Sequence, residues 1–529
     1  MTDIEIRNEN GQLVGYDRDT GDKVPISFES VSADELHGVA DTIVSTTSDL
    51  QTIFNNLSAG ETVYVARPDT PYRTDQWLDI EVDDVTVVFQ SPYAKDGSAI
   101  VKVADEGNVG GIRVGWNSSV ERVEVVNFGH HGNPNGQTNP DNSMDSIIVH
   151  QATDVEIRGG FLTRQAPYHV HNDGGSGITT TASAKHVEIH RVLLDDVGDR
   201  GIQTGGVDID VHHNTLLNGY DRSLNGGGRT YTDLESHGER IRFAYNYCAN
   251  NSDGSIIGLG NQNDGPTDVD VIGNIGYGEH RKFIRVQPAT SKVRVAYNRA
   301  IRGTGTNDNP AYQVRGPSDV TLEGNYARGY NTAGYTVTDA AGTPEDVTFR
   351  DNTAEDCNMG LSINGTGTNI RWIDGDLRNI WKTAVDIDPA FSGSLEVRGT
   401  TIKNYDTNAG GNVAINVPAT GVRFIDNHIV YNGSSALCFE GSGGGNTWKG
   451  NSATGGSWNI NGTDTVTIDN QPVVKRNLAN ITGGKNGAKA FHNGGDGSPV
   501  GYYWLDLDGD VSAGDWIRVG DNTTTITPA

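Results

Sequence analysis

One arrangement of apolar and polar positions recurs along this chain from about residue 123: apolar, polar, apolar, two variable positions, then asparagine. It reads Ile209-Asp-Val211-His-His-Asn214, then Ile241-Arg-Phe243-Ala-Tyr-Asn246, then Val269-Asp-Val271-Ile-Gly-Asn274. It continues from Val293 to Asn298, Val320 to Asn325, Val347 to Asn352 and Val422 to Asn427. Copies without the asparagine begin at Val123, Val155, Val187, Ile370 and Leu395, and a last copy ends at Asn451. The starts lie about 22 to 32 residues apart, near 27 on average, which is the signature of a solenoid.

Each unit opens with a short strand of period two, which sends alternate side chains inward and outward. The Asn or Gly that follows suits a bend with left-handed backbone. A second short strand comes about ten to fifteen residues later, as in Gly201-Ile-Gln-Thr, Phe283-Ile-Arg-Val, Ala311-Tyr-Gln-Val and Gly360-Leu-Ser-Ile. No helical period separates the two, which excludes leucine-rich and helical repeats. The pattern predicts an all-β chain wound as a parallel β-helix of about 13 coils, roughly 60 Å long at about 4.8 Å per coil. Stacked asparagines at equivalent bends would form an amide ladder from coil to coil.

The ends differ from the repeat. Ser48-Asp-Leu-Gln51 reads as a capping box opening a short helix, Leu50 to Leu57, followed by a strand over Gly60 to Ala66. Residues 1–46 carry hairpin signals around Asn8-Glu-Asn-Gly11 and are too few for a core of their own, so they read as an attachment segment. The β-helix is expected over 47–470. Residues 471–529 read as a small β domain, with Tyr502 to Leu507 and Trp516 to Val519 as a hairpin.

This organisation resembles the right-handed parallel β-helix superfamily of pectate lyases, polygalacturonases, mannuronan epimerases and viral tailspikes. A helix that plugs the first coil, followed by a strand, is similar to the start of tailspike β-helices. It would cover a sheet end that otherwise invites aggregation. The resemblance implies the fold; it leaves the reaction open, because the superfamily holds hydrolases, lyases, epimerases and non-enzymes.

Composition narrows the partners. The chain has 529 residues and a formal net charge of −28, which argues against nucleic acid. No stretch of 18 apolar residues exists, so no membrane-spanning helix is expected. Aspartate outnumbers glutamate, and arginine outnumbers lysine, by more than two to one. Together with few large apolar residues, this reads as a halophile's surface, whose self-repulsion high salt screens. Cys248, Cys357 and Cys438 are too sparse for a disulfide framework and read as buried apolar residues. The first residues show neither a signal peptide nor a twin-arginine motif.

In such a fold the outward residues of one strand stack into a flat ladder. Inserted turns, expected at 129–143, 172–186 and 215–238, wall that ladder into a groove. With Val149, Val170, Ile202, Ile284 and Val314 inward, the outward residues are Ile148 and His150, His169 and His171, Gln203, Arg285 and Gln287, then Gln313 and Arg315. Thr336, Thr338, Ser362, Asn364, Asp386 and Asp388 continue it. The His, Gln and Arg stripe, with Arg281 beside it, offers donors to sugar hydroxyls or to an anionic saccharide; the rival reading is a solvated strand face. Saccharide cleavage needs paired carboxylates, or a base with a cation near the uronate. The catalytic candidates are Asp173, Asp195, Asp196, Glu235 and His237. Asn172-Asp173, Asp195-Asp196, Ser236-His237-Gly238 and Arg281-Lys282 loosely resemble, in order, the polygalacturonase motifs, though each departs from them.

No cofactor is expected. Asp506, Asp508 and Asp510 alternate like a Ca2+ loop, but the loop is incomplete and an acidic turn is the plainer reading. His212-His213 would need a third ligand that the sequence does not name. The resulting expectation is a virion tailspike or fibre-like adhesin of a haloarchaeal virus, homotrimeric by resemblance. It would be docked on other virion proteins through the N-terminal segment and bind a host surface polysaccharide or glycan, with depolymerisation of that ligand as a further activity left open. The rivals are a secreted polysaccharide hydrolase or lyase and a purely structural β-helix.

Overall fold

Val123, Val155, Val187, Ile209, Ile241, Val269, Val293 and Val320 are all nearly or fully buried and pair in one parallel register. The repeat starts read from the sequence are therefore the inward rungs of one sheet. The computed structural model describes residues 40–44, 50–137, 144–164, 175–197, 200–218, 236–249, 255–260, 265–278, 282–302, 309–408, 410–430 and 438–454, and elsewhere the backbone of the strands named below.

Each coil contributes three strands, and the stacked coils make a right-handed parallel β-helix. One coil illustrates the order. Val207–His212 lies in the first sheet, Thr215–Leu217 in the second and Thr232–Ser236 in the third; Glu239–Ala244 then returns to the first. The second and third sheets hold 15 strands each, a stack of about 70 Å at about 4.8 Å per rung. Stacking starts in the first sheet at Thr42–Val44 and Thr62–Val65 and in the other two at Tyr72–Thr74 and Leu78–Ile80, earlier than the first recognisable repeat, because these coils lack the asparagine. The second sheet is absent from the two-strand reading of the sequence. Its strands are mostly three residues long, too short to show periodicity, and only the central residue of each points inward, as with Leu194, Leu216 and Cys248.

The asparagines form the expected ladder. Asn298 donates from Nδ2 to Val271 O at 2.7 Å and to Asn325 Oδ1 at 3.0 Å. Its own Oδ1 accepts from Asn274 N at 2.8 Å and Asn274 Nδ2 at 3.0 Å. The run extends from Asn214 to Asn352, and a second joins Thr400, Asn427 and Asn451. The left-handed residue of the bend is not the asparagine but its predecessor: His213, Tyr245, Gly273, Tyr297 and Gly324 all have φ between 56° and 66°. The asparagine keeps ordinary backbone because its side chain must turn inward, where it satisfies carbonyls and amides that the bend removes from the sheets.

Aromatic residues fill the widest coils. The rings of Tyr312 and Tyr335 stack at 4.9 Å, and those of Phe424 and Trp448 at 4.5 Å. The three cysteines are buried thiols, outside any disulfide. The helix is Leu50–Phe54, shorter than expected, with Leu50 and Phe54 buried in the same core; Ser48 lies outside the described residues. At the N-terminus Ile4–Glu9 pairs antiparallel with Gln12–Asp17, joined by Lys23–Val24. Beyond the helix, Val474–Lys475, Lys489–His492, Gly501–Asp506, Asp515–Arg518 and Asp521–Ile526 form one further sheet. Asp508 and Asp510 lie outside the described residues. No helix among the described residues is long and apolar enough to cross a membrane.

Candidate functional site: the outward face of the third sheet

The third sheet stacks its outward residues in register. The column runs Asp79, Arg113, Ile148, Thr179, Gln203, Glu235, Gly258, Arg285, Gln313, Thr336, Ser362 and Asp386. A second column follows two residues on and includes His150, Thr181, His237, Gln287, Arg315, Thr338 and Asn364. Gln203, His237, Arg285, Gln287, Gln313 and Arg315 thus share one face over five consecutive coils, and the backbone of Glu235 occupies the register position between Gln203 and Gly258.

The sequence-based ladder needs one correction. The rung between Ile148 and Gln203 belongs to Thr179, in the strand Ile178–Thr180, within the segment expected to be an insertion. His169, His171 and Asp173, like Arg281, lie outside the described residues. Likewise, 215–238 is not one insertion, since it holds strands of the second and third sheets. Variable spacing hid the register here, because 32 residues separate the starts at Val155 and Val187 but only 22 separate Val187 and Ile209.

This face is polar and mostly half-buried, with three of its polar residues buried. Thr336, Ser362 and Gln287 are 5–6 % exposed. Glu188 and Arg294, outward on the first sheet, have side chains 50 % and 47 % exposed. Thr179 Oγ1, Gln287 Oε1, Arg315 Nε and Thr336 Oγ1 are buried without a hydrogen-bond partner. Each such atom costs about 1–3 kcal/mol unless water or a ligand meets it. Beyond them the columns satisfy themselves: Asn364 donates to Ser362 at 3.2 Å and Asn416 to Asp386 at 2.8 Å. Glycine at both outward positions of one coil, Gly258 and Gly260, separates the rung of Glu235 and His237 from that of Arg285 and Gln287. No side chain of the sheet intervenes across about 10 Å, two rungs.

At the opposite end the structure adds residues that the sequence reading missed. Arg113 forms a two-pronged ion pair with Asp79 at 2.7 and 2.8 Å. Its guanidinium lies 5.0 Å from the ring centres of both Trp77 and Trp116. Trp116 is 39 % exposed and packs 5.2 Å from the His150 ring, whose Nδ1 is 2.8 Å from Thr181 Oγ1. The signal was the period-two runs Leu78-Asp-Ile80 and Ile112-Arg-Val114, which precede the first asparagine repeat.

Asp195 and Asp196 are not on this face. Asp195 ends a strand of the second sheet, in register with Thr163 and Leu217, and accepts from Asn218 at 2.9 Å. Asp196 is the left-handed residue that follows, held by Arg164 at 3.0 Å. Burial pushes its carboxyl above the ordinary range, Arg164 opposes this, and the charge of Asp195 adds to the rise. A raised carboxyl beside a second carboxyl is an arrangement that acid–base catalysis uses. The catalytic candidates therefore divide between two sheets, Asp195 and Asp196 on one and Glu235 and His237 on the other. A separate concavity of about 350 Å³ lies on the first sheet, lined by Asn369, Arg371, Glu396, Arg398 and Arg423.

No family model matches the chain, and no curated protein matches its sequence. Several solved structures are similar to it at low identity. The catalytic unit of a thermostable GH87 alpha-1,3-glucanase from Streptomyces thermodiastaticus is 15 % identical, over 82 % of this chain and 70 % of that one, with a TM-score of 0.45. The Dettilon tailspike protein is 12 % identical over 83 % and 73 %, with a TM-score of 0.38. A mannuronic acid specific polysaccharide family 6 lyase from human gut microbiota is 12 % identical over 74 % and 87 %, with a TM-score of 0.47.

Proposed function

We propose that this chain binds a polysaccharide along the outward face of its third sheet. The carrying observation is the double column of Gln203, Arg285, Gln287, Gln313 and Arg315, in register and half-buried or buried, in which Gln287 Oε1 and Arg315 Nε have no hydrogen-bond partner. Amide and guanidinium groups at about 4.8 Å intervals suit the hydroxyls and carboxylates of an extended saccharide. The rings of Trp77 and Trp116 suit its apolar C–H faces. The finer reading is a tailspike or fibre-like adhesin, with the N-terminal sheet as attachment element and the C-terminal sheet as assembly element of a homotrimer. Truncation after about residue 470 would then yield monomers.

Cleavage, if the adhesin also depolymerises its ligand, falls to Glu235 and His237, which share one rung beside the cationic residues. The raised Asp196 carboxyl favours a second reading, hydrolysis at the Asp195–Asp196 corner. The test is electrophoretic retardation in gels cast with neutral and uronate polysaccharides, with products read by mass spectrometry. The double variant Arg285→Ala/Gln313→Ala should lose retardation. Glu235→Gln should keep retardation and lose any products, whereas product loss in Asp196→Asn alone would move catalysis to the corner. Retardation unchanged in the double variant would reject the binding face.

A further inference from the structure

The first sheet, on a different face of the coil, carries a second constellation. Its outward columns pair Glu156 with Glu188, and Arg158 with His190 and then His212. The rings of His190 and His212 stack at 5.0 Å with 17° between their planes. Glu188 Oε1 lies 2.8 Å from His212 Nε2 and 4.0 Å from His190 Nε2, and Glu156 Oε1 lies 2.9 Å from His190 Nε2. One ligand atom each from Glu188, His190 and His212 falls within 4.8 Å of the other two. Ligand atoms around a four-coordinate zinc with bonds of about 2.0–2.1 Å stand roughly 3.3 Å apart, so these separations straddle the required value. His190 is 8 % exposed, so its ring is held in place before any ion arrives.

A further contact sets the tautomer. His212 Nδ1 lies 2.7 Å from His213 Nδ1, so a single proton is shared between two imidazoles. With that proton on His212 Nδ1 and donated to His213, the His212 Nε2 lone pair is left for an ion; without one, the 2.8 Å contact to Glu188 Oε1 takes a proton on Nε2 and His213 becomes the donor to Nδ1. Ligating histidines are oriented by such an outer hydrogen bond. The His213 ring in turn packs 5.3 Å from the Tyr245 ring.

We propose that Glu188, His190 and His212 bind a divalent transition-metal ion of the zinc class, leaving its fourth position to water, with His213 as positioning residue. Two imidazoles with a carboxylate favour such ions over calcium or magnesium, which take oxygen ligands. The ion would tie two successive coils together on the first sheet, independently of the polysaccharide face.

The test uses the full chain, freed of metal by a chelator and dialysed. Zinc is titrated calorimetrically and cobalt by its visible absorption. One equivalent should bind, with the intense bands of a four-coordinate site, and zinc should raise the melting temperature. His212→Ala should abolish stoichiometric binding. Glu188→Gln, a half-exposed position whose replacement leaves the core untouched, should weaken binding by about tenfold or more with an unchanged circular dichroism spectrum. His213→Ala should weaken it by roughly 10- to 100-fold, the range for an outer partner. His428→Ala, far along the second sheet, should bind as the parent does. Absence of one-equivalent binding in the parent would overturn the proposal, and so would parent-like affinity in both His212→Ala and Glu188→Gln.

Discussion

Replacing Asn298 by alanine tests the amide ladder where it is most continuous. The side chain makes four hydrogen bonds, at 2.7, 2.8, 3.0 and 3.0 Å. Alanine removes all four. It strands the Asn274 backbone N–H and the Val271 carbonyl, both in a bend shut off from water. At about 1 kcal/mol net per bond, and more where a buried group is left unmet, the loss should be about 4 kcal/mol. Asn298→Asp should cost more than alanine. Its oxygens can still accept from Asn274, but it cannot donate to Val271 O or Asn325 Oδ1, and it places a charge in a buried row. Asn352→Ala should cost less, because the next coil has Gly375 at the ladder position and Asn352 makes three such bonds. Urea denaturation followed by tryptophan fluorescence, with amide exchange at Asn274 as the local readout, measures the series. A loss below about 1 kcal/mol in Asn298→Ala, or aspartate milder than alanine, would refute the ladder as a main support of the stack.

Three further outcomes follow from other residues. His130 is fully buried, with Nδ1 2.8 Å from Ser146 Oγ, and burial pushes its pKa down from 6.5 to about 3. The unfolded chain therefore takes up a proton that the fold refuses. Stability is complete above pH 6.5 and falls towards pH 3 by about 1.4 kcal/mol per pH unit. His130→Leu should flatten the pH dependence of unfolding between about pH 6 and pH 4 by one proton, and an equal slope in both proteins would contradict this. At Gly393 the backbone has φ 138°, and an added Cβ would stand 1.8 Å from Gly367 O on the neighbouring coil. Gly393→Ala should lose about 3 kcal/mol or more in urea denaturation, since both the strain and the clash fall on backbone. Trp116→Ala should weaken gel retardation by polysaccharide without moving the melting temperature, because that ring is partly exposed at the column's end; unchanged retardation would remove the aromatic end from the site.

The repeat itself, its inward valines and isoleucines and the buried asparagines could be read without a structure. They depend on strand periodicity and on contacts between equivalent positions of adjacent coils, so Asn274, Asn298 and Asn325 had to stack once the repeat closed. The outward order of Gln203, Arg285, Gln313, Thr336 and Ser362 was legible for the same reason. Tertiary structure alone decided what the unequal spacings concealed. It gave the rung beside Ile148 to Thr179, added a second sheet with strands too short to show a period, and put Asp195 around a corner from Glu235. It also brought Glu188, His190 and His212 together. Glu188 and His190 share one strand while His212 ends the strand of the next coil, and only the parallel register of the first sheet, fixed by burying Val187, Ile189, Ile209 and Val211, sets the three side chains against one another.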